Sequence, residues 1–174
     1  MKLTEIKYGT MAYIVSKNNN VLMLKKGVRK DDPNSGYFTL PGGKLKGFEK
    51  GLSYPRGRLE SVMREIEEET NIRPLNPVLR GVILFDNRDR SFDNWPKPTH
   101  FYVYIYSAIK FRGRARKSDE GIPYTIPLEK VKEVPSNPGD KKMYEWLADG
   151  RNFVGVIKHK GNEIDEEGTM VDFF

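Results

Sequence analysis

PGGK at residues 41–44, followed after a polar interval by REIEEETNI at residues 64–72, is the stretch on which the reading of this chain turns. Glu65, Glu68 and Glu69 stand at i, i+3 and i+4, a spacing that gathers three carboxylates on one face of a helix. Like charges so placed destabilise a helix by roughly 0.2–0.5 kcal/mol per pair. A divalent cation gives the cluster a purpose, because hard cations such as Mg²⁺ take oxygen ligands and bridge to substrate phosphates. The two adjacent glycines upstream let backbone approach a ligand closely. Phosphate chemistry around a metal is the expectation.

The pattern around that stretch predicts a helix over 59–70. Leu59, Val62, Met63 and Ile66 form its apolar stripe, and Asn71 falls in the C′ slot, where Asn tolerates the left-handed conformation. Residues 72–74 read as its stop. Upstream, residues 8–16 and 21–25 read as strands joined by a turn at Lys17-Asn-Asn-Asn20, and 37–40 as a short strand leading into the glycines. Downstream, 78–85 and 100–111 read as long strands. In the second, Phe101, Val103 and Ile105 alternate with Tyr102, Tyr104 and Tyr106, so both faces can be buried. A further helix is expected over 140–148, with Asp140 as its N-cap, then strands over 153–158 and 170–173. The elements sum to one mixed α/β domain over 1–174.

The 174 residues suffice for a full core. There is no cysteine, which excludes disulfides and thiol nucleophiles, and the two histidines, His100 and His159, lie far apart. No apolar run is long enough to span a bilayer, and the N-terminus lacks a signal-peptide pattern, so a cytoplasmic protein without a membrane partner is expected. The formal charge of +6 is uneven: residues 60–69 hold five acids against Arg64 and net −4, leaving +10 on the remainder. An acidic spot in a basic frame suits a metal with a polyphosphate. No RNA or DNA module motif accompanies the basic frame, so nucleic acid is not the expected partner. The long strands leave room for a homodimer.

These residues resemble the Nudix (MutT-like) hydrolases, whose box reads G-x5-E-x7-R-E-U-x-E-E-x-G-U with U a bulky aliphatic residue. Gly43 and Glu49 match its first half, and residues 64–72 match its second half with Asn71 in place of the glycine. Between Glu49 and Arg64 stand 14 residues instead of seven, the excess lying in a stretch marked as loop by Gly51, Pro55 and Gly57. The resemblance implies an α/β/α sandwich with a mixed β-sheet. It also implies that Glu65, Glu68 and Glu69, with the Gly43 carbonyl, ligate Mg²⁺ or Mn²⁺, and that Arg64 orients a glutamate of the box. Weaker similarity across the rest of the chain points to the subgroup hydrolysing oxidised purine nucleoside triphosphates such as 8-oxo-dGTP.

That subgroup implies roles for residues outside the box. Glu120 would add a metal ligand or a base, leaving Glu69 and Glu120 as the two candidates for proton acceptor. Asn137 and Asp140 fall where the purine is read, their side chains being able to hydrogen-bond a base edge. Thr39 sits near another substrate-contacting position, and Lys44, Lys46, Arg56 and Arg58 are candidates for phosphate. Trp95 could stack on a base. The expected activity is metal-dependent hydrolysis of a nucleoside triphosphate to monophosphate and pyrophosphate. The alternatives are ADP-ribose or dinucleoside polyphosphate hydrolysis, a catalytically silent nucleotide-binding module, and hydrolysis of an RNA 5′ end.

Overall fold

The alternation at residues 100–106 sorts two apolar cores onto opposite faces of one sheet. Val103 and Ile105 join Ile83, Phe85, Met143, Trp146, Phe153 and Ile157 on one side. Tyr106 joins Ala12, Ile14, Val62 and Ile66 on the other, with Tyr104 packed against them. The first core is covered by α2 (Pro138–Asp149) and the second by α1 (Pro55–Thr70), giving the expected α/β/α sandwich. The computed structural model describes residues 5–30, 32, 34–46, 55–89 and 99–174, with backbone only at 55 and 56. Glu49, Trp95 and the Arg56 side chain, all singled out from sequence, lie outside the described residues.

The main sheet is mixed. Its order is β11 (Glu163–Ile164), β10 (Phe153–Lys160), β6 (Val78–Asp89), β7 (Thr99–Ala108), β1 (Glu5–Ile14) and β4 (Gly42–Lys44), with β12 (Met170–Phe173) also pairing β10. β1 runs parallel to β7, and β10 parallel to β6, while β6 and β7 are antiparallel. A second sheet places β2 (Asn20–Lys26) between β3 (Phe38–Thr39) and β9 (Gly121–Pro127). A two-stranded ribbon pairs β5 (Ile72–Leu75) with β8 (Lys110–Gly113). Among the described residues, no helix is long and apolar enough to cross a membrane.

Four expectations needed revision. The turn after β1 forms, with Asn19 at φ 56° and Ser16 N–H donating to Asn20 O at 2.8 Å, yet the flanking strands share only the Val15–Val21 bridge and enter different sheets. The strand expected over 100–111 breaks at Ile109. Lys110 and Arg112 continue the alternating positions that carry Tyr104, Tyr106 and Ala108 under α1, and prolonging the strand would bury charge there. Residues 72–75, expected only to stop the helix, are a strand despite Pro74, and residues 121–127, for which no element was expected, are another despite Pro123 and Pro127; β9 is an edge strand, where a missing N–H is tolerated. Finally, α2 starts at Pro138 with Asn137 as N-cap, so Asp140 is in the first turn rather than capping it. Proline favours the first helical position and an acid the first turn, which explains the earlier start. Asn71 does end α1 in the left-handed conformation, at φ 59°.

Candidate active site

α1 buries Val62 and Ile66 against the sheet, and the carboxylate face lies about a quarter-turn round from that stripe. The helix therefore delivers Glu65, Glu68 and Glu69 to the edge where β4 pairs with β1, at the Thr10–Gly43 and Met11–Gly42 registers. Glu69 is buried, only 3% exposed, while Glu68 is in solvent. At Gly43 the approach to the helix is so close that a Cβ would stand 2.5 Å from the Glu65 carboxyl carbon. A side chain there would displace the Glu65 carboxylate.

Each carboxylate of the cluster is held by a cation or an amide. Glu69 Oε1 accepts from Lys26 Nζ at 2.7 Å, and Oε2 accepts from Gly42 N–H at 2.8 Å. The same ammonium reaches Glu120 Oε2 at 3.4 Å, and Arg29 Nη1 approaches Glu120 Oε1 at 3.4 Å. Arg64 Nη1 contacts Glu65 Oε1 at 2.6 Å and Glu68 Oε2 at 3.0 Å. Burial lifts the Glu69 carboxyl above its ordinary value, against the pull of Lys26 and the Gly42 amide, and Glu65 adds repulsion. Burial works against the Lys26 ammonium too, but Glu69 and then Glu120 outweigh it and hold its pKa above normal. At Glu120 the same competition ends lower than usual, because Lys26 and Arg29 overcome the burial penalty.

The cluster lines a cleft of about 630 Å³ whose walls include Lys26, Thr39, Gly43, Lys44, Phe101 and Glu120, within the usual range for small-molecule sites. A smaller cavity of about 60 Å³ adjoins it, sharing Met11, Asn34, Phe101 and Val103, and is lined further by Asn87, Asn137, Asp140 and His159. Asn137 Nδ2 donates to Asn34 Oδ1, which ties the N-cap of α2 to the loop after β2. The Thr39 hydroxyl is spent on Leu40 O at 3.3 Å. The Tyr102/Tyr104/Tyr106 row faces away from the cleft, whose wall is instead Phe101 and Val103. Arg58 stacks on the Tyr104 ring, its guanidinium carbon 3.9 Å from the centroid.

The donor set suits a hard divalent cation: three box carboxylates, a backbone carbonyl at Gly43 and a further carboxylate at Glu120, all oxygen. Among the described residues, no three acidic or histidine side chains converge as they stand on a single point. Arg64 draws two of the carboxylates aside and Lys26 the other two, so ion binding entails re-aiming these side chains.

With this arrangement in view, the match to known proteins is direct: residues 6–147 fit the NUDIX domain family. The chain belongs to that family. It is similar to a MutT protein from Bacillus halodurans of known crystal structure, with 25% identity, a TM-score of 0.73, and 95% of this chain and 97% of that one covered. An uncharacterised Nudix hydrolase of Bacillus subtilis is 27% identical over 144 residues, covering 81% of this chain and 79% of that protein. An ADP-ribose pyrophosphatase of Methanocaldococcus jannaschii is 40% identical over 76 residues, which are 44% of this chain and only 39% of the relative. This is a Nudix hydrolase, an enzyme type that acts on pyrophosphate bonds.

Reading the Nudix site from sequence alone missed Lys26, Arg29, Asn34, Asn87 and the placement of His159. Lys26 and Arg29 lie before the box, at the end of β2 and in the loop after it, and only the folding of the second sheet carries them to the helix carboxylates. Asn87 and His159 sit on the paired strands β6 and β10 and are nearly inaccessible, at 2% and 1%. His159 lies against Phe85, with ring centroids 6.4 Å apart. A polar side chain within an apolar strand pattern was the available signal for both.

Proposed function

We propose that this chain is a divalent-cation-dependent pyrophosphohydrolase whose substrate is an oxidised purine nucleoside triphosphate such as 8-oxo-dGTP, released as monophosphate and pyrophosphate. The carrying observation is the pair of adjoining cavities. One is lined by the box carboxylates and Lys44, the other by groups able to hydrogen-bond a base edge, and Phe101 and Val103 form an apolar wall common to both. Glu65, Glu68, Glu69 and the Gly43 carbonyl would hold Mg²⁺ or Mn²⁺, which supplies neutralisation of phosphate charge and a more acidic water.

The chain's own groups do the remaining work. Glu69 accepts the proton of the attacking water: it is the deepest carboxylate of the cleft, at 3% exposed, whereas Glu120 stands further out, shared between Lys26 and Arg29. Arg64 aims Glu65 and Glu68. Lys44 and the Lys26 ammonium, once released from Glu69, face the polyphosphate. Asn137 and Asp140 read the base edge, with Asn34 fixing the orientation of Asn137.

ADP-ribose is the second reading, favoured by the 40% identity to an ADP-ribose pyrophosphatase over 76 residues. Phosphate and pyrophosphate release with Mg²⁺ from 8-oxo-dGTP, dGTP, ATP, ADP-ribose and diadenosine polyphosphate separates the two. The oxidised purine triphosphate should turn over best and yield pyrophosphate. A preference for ADP-ribose would replace the substrate and keep the carboxylate roles. Nucleotide binding without turnover of any of the five would reduce the chain to a binding module.

A further inference from the structure

We propose that the β5–β8 ribbon and the segment following it form a docking surface for single-stranded nucleic acid, separate from the catalytic cleft. Residues 110–117 read KFRGRARK, five cations in eight positions with no acid among them. All eight are exposed. Among the described residues, none of Lys110, Arg112, Arg114, Arg116 and Lys117 forms an ion pair, in contrast to the cations of the cleft. The β5–β8 register also sets Arg73 directly opposite Arg112, a like-charge pairing that destabilises a ribbon. Arg73 has only a distant contact to Glu67, at 3.9 Å between two exposed groups.

This cationic stretch is fixed in place, not a loose tail. Arg116 N–H donates to Thr70 O at 3.0 Å, Asn71 Nδ2 to Arg114 O at 3.0 Å, and Ser118 N–H to Gly121 O at 3.0 Å. The C-terminus of α1 thus holds the backbone while the charged side chains stand in water. Beside them lies a cavity of about 270 Å³ lined by Ile14, Leu22, Ile72 and the ring of Phe111, with Asn20 and Arg114 as polar neighbours. It shares no residue with the cleft. Phe111 is 40% exposed, leaving part of its ring open for stacking.

An apolar slot with an aromatic wall, bordered by a fixed row of unneutralised arginines, is complementary to a base attached to a phosphate chain. The number of cations exceeds what one small anion needs and suits a polymer. Arginine predominates, which favours bidentate contacts to phosphate and stacking on bases. No recognised module motif is required for such a surface, since backbone charge and stacking are independent of sequence.

The test is fluorescence anisotropy of a labelled oligouridylate and a labelled oligothymidylate with the full chain. Three proteins are compared: wild type, Arg112→Glu/Arg114→Glu/Arg116→Glu, and the charge-matched Lys130→Glu/Lys132→Glu/Lys141→Glu. Wild type should bind, and if about four phosphates are neutralised, raising salt from about 50 to about 200 mM should weaken binding about 50-fold. The ribbon variant should lose at least about tenfold while the charge-matched variant stays within about threefold, since only the first removes the phosphate contacts. Its melting temperature should not fall below that of wild type, since Arg112→Glu relieves the repulsion across from Arg73, and its small-nucleotide turnover should match wild type, which separates this proposal from the catalytic one. No binding by wild type, or equal losses in the two variants, would overturn it. So would binding to vesicles of equal phosphatidylserine and phosphatidylcholine with none to either oligonucleotide.

Discussion

The cleft and the ribbon meet at residues 117–120, yet they treat charge in opposite ways. In the cleft, each described carboxylate of the cluster leans on a cation of the same chain: Glu69 and Glu120 on Lys26, Glu65 and Glu68 on Arg64. On the ribbon, five cations have no acidic partner among the described residues, and a sixth, Arg73, stands opposite one of them in the register. Internal pairing keeps a crowded acidic cluster with one buried member, Glu69, tolerable until a stronger cation arrives. Leaving exposed arginines unpaired costs little in water and keeps them available to an external anion. The contrast is between a site whose groups must exchange partners and a surface whose groups have none to give up.

The sharpest way to break this picture is Glu69→Gln. The change keeps the shape and the Gly42 hydrogen bond but removes the acceptor, and turnover should fall about 10²–10⁴-fold. Wild-type rates measured by pyrophosphate release would refute the assignment of Glu69. Lys26→Met comes next. It strips the internal cation from a carboxylate that is almost inaccessible, and breaking a buried pair costs about 3–5 kcal/mol. Chemical denaturation should show a loss of about 3 kcal/mol, with Mg²⁺ restoring more stability to this variant than it adds to wild type, because ion binding then meets no competitor. Equal stabilisation of both proteins by Mg²⁺ would mean that Lys26 and the ion do not contend for Glu69.

Gly43→Ala tests the geometry of the cleft without touching a charge. The added Cβ would lie 2.5 Å from the Glu65 carboxyl carbon, so either strand β4 or the carboxylate shifts. A displacement near 1 Å costs about 10²-fold in rate when it misplaces a reacting group. kcat should fall to that extent with the ribbon's oligonucleotide binding unchanged. A parallel loss of both would tie the two regions together and weaken the contrast.

How much of this was legible beforehand follows from where each residue's partners lie. The box helix could be read because Arg64, Glu65, Glu68 and Glu69 are one another's neighbours on a single turn and a half. The two faces of β7 were equally plain from the Phe/Val/Ile and Tyr alternation. Lys26, Asn34 and Asn87 were not, since β2, its following loop and β6 meet the cleft only after the sheets have formed. The three prolines of β5 and β9 hid strands that survive because each pairs on one side only. Of KFRGRARK, only Lys110 and Phe111 were read, as the end of a long strand; burial of the Tyr104, Tyr106 and Ala108 positions under α1 shows why the chain turns away and carries its arginines outward.

The smallest effect comes from an ion pair belonging to neither region, and it calibrates both. Asp86 receives two hydrogen bonds from the Arg88 side chain, at 2.9 and 2.7 Å, and lies 3.5 Å from His100 Nε2. Partial burial raises its pKa, but Arg88 and then His100 outweigh that and leave it below the ordinary value of 3.8. A carboxylate with a lowered folded pKa contributes stability that is complete above the unfolded value and disappears as pH falls through the folded one. Arg88 is half exposed, which keeps the pair's worth modest. Asp86→Asn should therefore cost about 1 kcal/mol at neutral pH, with the gap from wild type narrowing below about pH 4. If the gap persisted unchanged in acid, the pair would be acting through packing rather than charge. The larger cost expected for Lys26→Met would then have to be reassigned in the same way, and the cleft would lose its distinction as the place where charge is paired in order to be exchanged.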